Sequence, residues 1–254
     1  MQKTTAFLVL IIALGVLIYA VPLLPFRGSL LDPNGGFVNW ALATTTFIIL
    51  CLAGFFFQFE KSATGAKEIA LVSMLGTISA LSRLPFASLM NFQPCTFFII
   101  CSGYVFGPVA GFMVACLTAL ISNLFLGQGP WTPYQMFTWG LIGITAAWLK
   151  RLNLSGRGGL AALAAFGFCW GWGYGLIINI WFWTYFVYPL TLKTYLYTLF
   201  NAVIWDATHA LANVFFVLIL GSQVIQALER FKKRFFWAEV AGGEHAGPEK
   251  ASAG

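Results

Sequence analysis

The chain has 254 residues, of which 59% are hydrophobic and 9% charged, with a net charge of +6 and a mean hydropathy of +0.83. Soluble domains carry roughly 25% charged residues, so there is too little polar surface to cover a water-soluble globule of this size. A disordered chain and a disulfide-rich secreted scaffold are excluded on the same ground, and an all-α polytopic membrane protein is predicted.

Apolar runs of spanning length, roughly 20 residues for a hydrocarbon core of about 30 Å, predict eight helices in chain order. The first, 6–25, follows Lys3 as a signal peptide would. It has full spanning length, and Pro22–Pro25 lacks a small-x-small cleavage pattern, so it is read as a retained span. The second covers 37–57. The next six, 68–84, 92–107, 109–126, 133–149, 159–187 and 198–221, are separated by loops too short for a soluble domain, and the fourth and fifth are joined by almost none. The ten prolines all fall near or beyond span ends, where they do not break helix hydrogen bonds. Continuous rather than alternating hydrophobicity argues against a β-barrel. Three regions result: two N-terminal spans (1–60), a six-helix core (61–225), and a basic end with a flexible tail (226–254).

The bias of Lys and Arg orients the chain. With the N-terminus in the cytoplasm, ten basic residues (Lys3, Lys61, Lys67, Lys150, Arg151, Arg157, Arg230, Lys232, Lys233 and Arg234) lie inside and Arg27, Arg83 and Lys193 outside. Both termini are then cytoplasmic in a multi-pass cell-membrane protein. The positive charge reads as topology and contact with anionic lipid rather than nucleic-acid binding, and Arg230–Arg234 as a lipid anchor.

Glycines set the predicted packing. Gly103, Gly107 and Gly111 recur every four residues across Pro108, as do Gly167, Gly171 and Gly175 in the seventh span, a spacing that lets helix backbones approach closely. Gly221 is read as the end of the eighth span. Thr132-Pro133-Tyr134-Gln135 reads as a capping box after a tight turn at Gly127–Trp131. The five cysteines all lie in apolar spans, form no C-x-x-C pair, and read as small apolar filler.

Polar side chains at membrane depth are the costly ones and mark the predicted site. Asp206 is the only acidic residue in the interior of a span, since Glu68 stands at the very start of one, and His209 follows one helical turn later. Arg83, Asn91, Gln93, Asn123, Gln128 and Gln135 map to the same outer third, with Trp131 and Trp139 among the aromatic residues there. Together they outline a pocket for a flat, polar small molecule. The simplest structural alternative is an interfacial aromatic belt with an Asp206–Arg83 or Asp206–His209 pair that sets helix register. No H-E-x-x-H, G-x-S-x-G or nucleotide-binding motif accompanies these residues, so neither an enzyme, a metal site nor a bound cofactor is expected.

The stretch 67–150 carries a resemblance: Arg83-Leu-Pro-Phe, Gln93-Pro94, Gly103-Tyr-Val-Phe-Gly107-Pro-Val-Ala-Gly-Phe, Leu120-Ile-Ser-Asn123, Gly127-Gln-Gly-Pro-Trp-Thr-Pro-Tyr-Gln-Met136 and Trp139-Gly-Leu-Ile-Gly143. It resembles the substrate-specific S component of energy-coupling factor vitamin transporters, and the cobalamin-type branch among them. The resemblance implies a six-helix core that binds a vitamin, cobalamin or a related corrinoid, near the outer face beneath the loops Arg83–Asn91, Gly127–Trp131 and Pro189–Tyr197. It also implies a membrane coupling subunit and two cytoplasmic ATPases as partners. The family's small-x-x-x-small docking motif is matched by Gly76 and Ala80, with Ser73 nearby. Residues 1–60 exceed what such a core requires. Two other readings stay open: a proton-coupled secondary transporter using Asp206 and His209, and a membrane scaffold.

Overall fold

The computed structural model describes residues 32, 34, 38–61, 66–152 and 156–244. The predicted span 6–25 lies outside the described residues. Seven of the eight predicted helices are present: α1 (Trp40–Lys61), α2 (Ala66–Arg83), α3 (Cys95–Phe106), α4 (Pro108–Leu126), α5 (Trp131–Leu149), α6 (Gly156–Phe186) and α7 (Leu192–Glu244). There is no strand among the described residues. Among the described residues four helices are long and apolar enough to cross a bilayer, and α3 and the Trp40–Gly54 part of α1 are shorter apolar helices.

The surface has the polarity expected in lipid. Leu124, Phe200, Ile204 and Leu211 stand outward, while Asn123, Thr138, Ser79 and Asn213 are buried. Around the middle, Phe97, Ile99, Ile100, Val114 and Ile142 are sealed from solvent. Helix α5 runs through this core and touches α1, α3, α4 and α6.

Glycines bring the helices together, with one exception to the expected pattern. A Cβ on Gly111 would lie 2.6 Å from the Gly143 carbonyl oxygen and 2.7 Å from the Gly103 Cα, so α3, α4 and α5 cross backbone to backbone. Gly171 meets the Ala210 backbone in the same way, and Gly167 and Gly175 meet Asn213 and Asp206. Gly107 does not pack. Its φ of 101° ends α3, its N–H bonds the Gly103 carbonyl at 3.0 Å, and Pro108 opens α4 directly after it.

Two boundaries differ from expectation. Gly221 does not end the last helix, because α7 continues through it to Glu244, 53 residues or about 80 Å in all. A Cβ there would lie 2.8 Å from Leu160 Cδ1, so this glycine admits the neighbouring α6 rather than stopping α7. The extension is tied to the bundle end where α3 and α5 finish. Lys232 Nζ donates to the Val105 carbonyl at 2.6 Å, satisfying an acceptor left open by the end of α3, and Lys150 pairs with Glu229 at 2.5 Å. At the opposite end, α3 starts at Cys95 rather than 92, because Met90 and Asn91 adopt left-handed φ values of 37° and 67° ahead of Pro94.

Helix α1 is fastened to the core by polar as well as apolar contacts. Tyr134 of α5 donates to Thr44 Oγ1 at 2.7 Å, and Thr45 lies 3.2 Å from the Tyr185 hydroxyl of α6. Trp40 packs with Trp183 and Leu190 in a small separate apolar cluster. Asn34 clamps the same place: its Oδ1 accepts the Leu190 N–H at 2.7 Å and its Nδ2 donates to the Leu190 carbonyl at 3.1 Å.

Candidate functional site

At the end of the bundle where α2, α4 and α6 stop and α3, α5 and α7 begin, the predicted polar residues meet. Arg83 is the last residue of α2, where the helix dipole favours a cation. Its Nε donates to Gln93 Oε1 at 2.8 Å, and its Nη1 donates to Ser122 Oγ and Asn123 Oδ1, each at 2.9 Å. The guanidinium carbon lies 5.3 Å from the centre of the Trp139 ring, a cation–π contact. Arginine can only donate, so the Asn123 oxygen must face it and the Asn123 amide nitrogen points away. That nitrogen donates to Gln135 Oε1 at 2.7 Å and to Thr132 Oγ1 at 2.9 Å.

This network replaces the expected capping box. Helix α5 begins at Trp131 after Pro130, without a side-chain cap. Thr132 and Gln135 instead turn to Asn123, which is 1% exposed and finds its partners within the protein. Thr132 also donates to Gln128 Oε1 at 2.9 Å, which ties the exposed Gln128 to the buried cluster.

A second line of contacts runs inward from Trp139. Its indole N–H donates to Thr96 Oγ1 at 3.0 Å, and Thr96 Oγ1 lies 2.8 Å from His209 Nε2. Thr96 Oγ1 therefore bridges Trp139 and His209, and its hydroxyl can donate to a bare Nε2 or accept from an Nε2–H. Nδ1 is buried with no partner among the described residues. Tyr174 fills the gap between these rings, 5.4 Å from Trp139 and edge-on to His209 at 4.8 Å.

Asp206 stands apart from both lines. Its carboxylate rests on Gly175, where a Cβ would overlap it. No Lys, Arg or His among the described residues is within ion-pair distance, so neither the Asp206–Arg83 nor the Asp206–His209 pair is made. In an environment of effective dielectric near 20, opposite unit charges 4 Å apart attract by about 4 kcal/mol. The fold forgoes that gain because Arg83 is oriented by α4 and the α2–α3 turn, while Asp206 is held at the α6–α7 contact.

The structure thus joins Arg83, Gln93, Asn123, Gln128, Gln135, Trp139 and His209 in one connected set. Trp131 is at its edge, 5.5 Å from Trp181, and Asn91 is in the left-handed turn beside it. Ser73, Gly76 and Ala80 lie elsewhere on α2. Gly76 and Ala80 face inward, a Cβ on Gly76 falling 2.6 Å from Leu117 Cβ, while Ser73 is exposed. Among the described residues no three His, Cys, Asp or Glu side chains gather as metal ligands.

Sequence reasoning missed Ser122, Thr96, Thr132 and Tyr174. Most hydroxyls here bond the carbonyl one turn back, as Thr118 does to Val114, so a Ser or Thr in an apolar run carries no site signal by itself. Thr96 had one: it lies in the first turn of α3, where no earlier helical carbonyl is available.

Comparison with known proteins bears on this arrangement. The model of the family described as ECF transporter, substrate-specific component, matches residues 67–230. The chain belongs to that family. The match spans α2 to α6 and most of α7, the six helices that build the polar site, and leaves α1 ahead of it. Neither a curated protein nor a solved structure matches the chain. As an S component it is a membrane protein and a subunit of a transporter.

Proposed function

We propose that this S component captures a vitamin at the end of the bundle that carries Arg83 and Asn123, and that this end faces outward. The carrying observation is the connected set of donors and aromatic rings from Arg83 to His209, built by six different helices. Isolated polar residues scattered among apolar helices would not share partners in this way. Cobalamin or a related corrinoid is the proposed substrate, from the resemblance of the Gly127–Pro133 turn. Transport then requires a membrane coupling subunit and two ATPases, in keeping with a chain that has no nucleotide-binding motif. Both termini are placed in the cytoplasm by the excess of basic residues.

The docking surface for the coupling subunit is proposed on the exposed face of α2, where Ser73 and Thr77 are small residues four apart. Gly76 and Ala80 serve that surface indirectly, by holding α2 against α4. A proton relay between Asp206 and His209 has little geometric support, since His209 Nε2 bonds Thr96 and no contact joins the pair.

The test is purification of the full chain with and without its coupling module, followed by mass spectrometry of extracted small molecules. A corrinoid that co-purifies, and uptake that needs both the module and ATP, support the proposal. Uptake by the chain alone, abolished by an uncoupler, refutes it.

A further inference from the structure

The site holds one cation and one anion that do not meet. Arg83 uses Nε and Nη1 on neutral acceptors and stacks on Trp139; its Nη2 has no partner, and no carboxylate is within ion-pair distance. All three of its acceptors are uncharged, so they orient the guanidinium without neutralising it. Asp206, 6% exposed, makes neither an ion pair nor a hydrogen bond with the described residues. Uncompensated charges are costly at this depth, so a site that keeps two of them fixed and apart is built to have them met by something else.

A chain of packed residues links the two. Arg83 covers Trp139, Trp139 packs on Tyr174, and the next residue, Gly175, bears the Asp206 carboxylate. Glycine at 175 is what allows the carboxylate to lie flat against α6 at this point.

Taking the substrate-capture reading as its basis, we infer that the captured molecule is bipolar: it places an ionised acid, a carboxylate or phosphate, on Arg83 and an N–H or ammonium donor on Asp206, with an apolar or aromatic body over Trp139 and Tyr174. A planar guanidinium with one free edge suits an acid oxygen, and a carboxylate can only accept. His209 Nδ1, buried without a partner among the described residues, is a further polar atom beside Tyr174.

The experiment extracts the small molecule carried by the purified full chain, separates it by anion exchange at neutral pH, and identifies it by mass spectrometry. Binding is then remeasured with the identified compound and with its amide or ester, in which the acid is neutral. The expected compound has an acid group that is ionised at neutral pH and at least one N–H donor. Neutralising the acid weakens binding roughly 10- to 100-fold. Arg83→Gln brings the two forms within about threefold of each other, whereas Arg83→Lys keeps most of the difference. Arg157→Gln, a change in the first turn of α6 away from the site, leaves it intact. Should Arg83→Gln fail to fold, the comparison of the two compounds on the wild-type chain still decides. A carried compound with no ionised acid or no N–H donor, or equal binding of acid and amide, overturns the inference and leaves capture standing. A chain that carries nothing from any source overturns the capture reading itself.

Discussion

Gly111→Ala tests the backbone crossing on which the bundle depends. The new Cβ would be 2.6 Å from the Gly143 carbonyl oxygen, 2.7 Å from the Gly103 Cα and 2.8 Å from the Gly143 carbonyl carbon. Real Cβ contacts are essentially never under 3.0 Å. The obstructing atoms are all backbone, so no side chain can rotate away. Relief requires α4 to move from α3 and α5 by roughly an ångström, which opens the contacts of Phe112, Val114 and Ala115 around it. Overpacking of this kind costs about 1–3 kcal/mol. Alanine's better helix propensity returns up to about 1 kcal/mol, leaving a net loss of about 1–2 kcal/mol. Gly158→Ala is the control, since it is helical and exposed with nothing within 4 Å, and it is expected to be neutral or slightly stabilising. Thermal unfolding in detergent, followed by tryptophan fluorescence, should rank Gly111→Ala clearly below wild type and Gly158→Ala at or above it. A Gly111→Ala protein as stable as wild type would refute the close crossing.

Four further outcomes are expected. Asn34→Ala leaves the Leu190 N–H, in a residue 1% exposed, without its acceptor; stability should fall by about 1–2 kcal/mol, and the Leu190 amide should exchange faster by hydrogen–deuterium exchange. Tyr134→Phe removes the 2.7 Å bond to Thr44 and should cost about 1 kcal/mol, with faster exchange in α1 than in α3. Glu229→Gln breaks a pair whose side chains are 41% and 33% exposed, and the melting temperature should shift by the equivalent of less than about 1 kcal/mol. Gly175→Ala displaces a carboxylate at the end of a side chain rather than a backbone, so it should melt closer to wild type than Gly111→Ala while losing co-purified ligand.

The fold was legible where hydrophobic length and chain breakers act alone. Seven of the predicted spans coincide with helices, because a run of about 20 apolar residues has few other stable solutions in lipid. Residues whose roles depend on a neighbour were not legible in the same way. Gly107 and Gly111 belong to one four-residue rhythm, yet the first turns the chain at φ 101° and the second admits the Gly143 carbonyl. Gly221 has the local look of a helix end and is instead required by Leu160. In each case the deciding atom is distant in sequence.

The site was legible to the extent that burial is expensive. Asn123, Gln135 and Arg83 stood out because an amide or guanidinium in an apolar run must find partners, and each found them among the others. The structural alternative, in which Asp206 is half of an ion pair, is not met. Cost alone says that a buried carboxylate needs compensation, and the candidates at the same predicted level of the membrane were Arg83 and His209. Three-dimensional packing commits Arg83 to Gln93, Ser122 and Asn123 and commits His209 to Thr96, so neither is left to pair with it. A carboxylate retained at membrane depth without an internal counter-ion makes sense when its partner arrives from outside. The unmade pairing is the observation on which the proposed chemistry of the ligand rests.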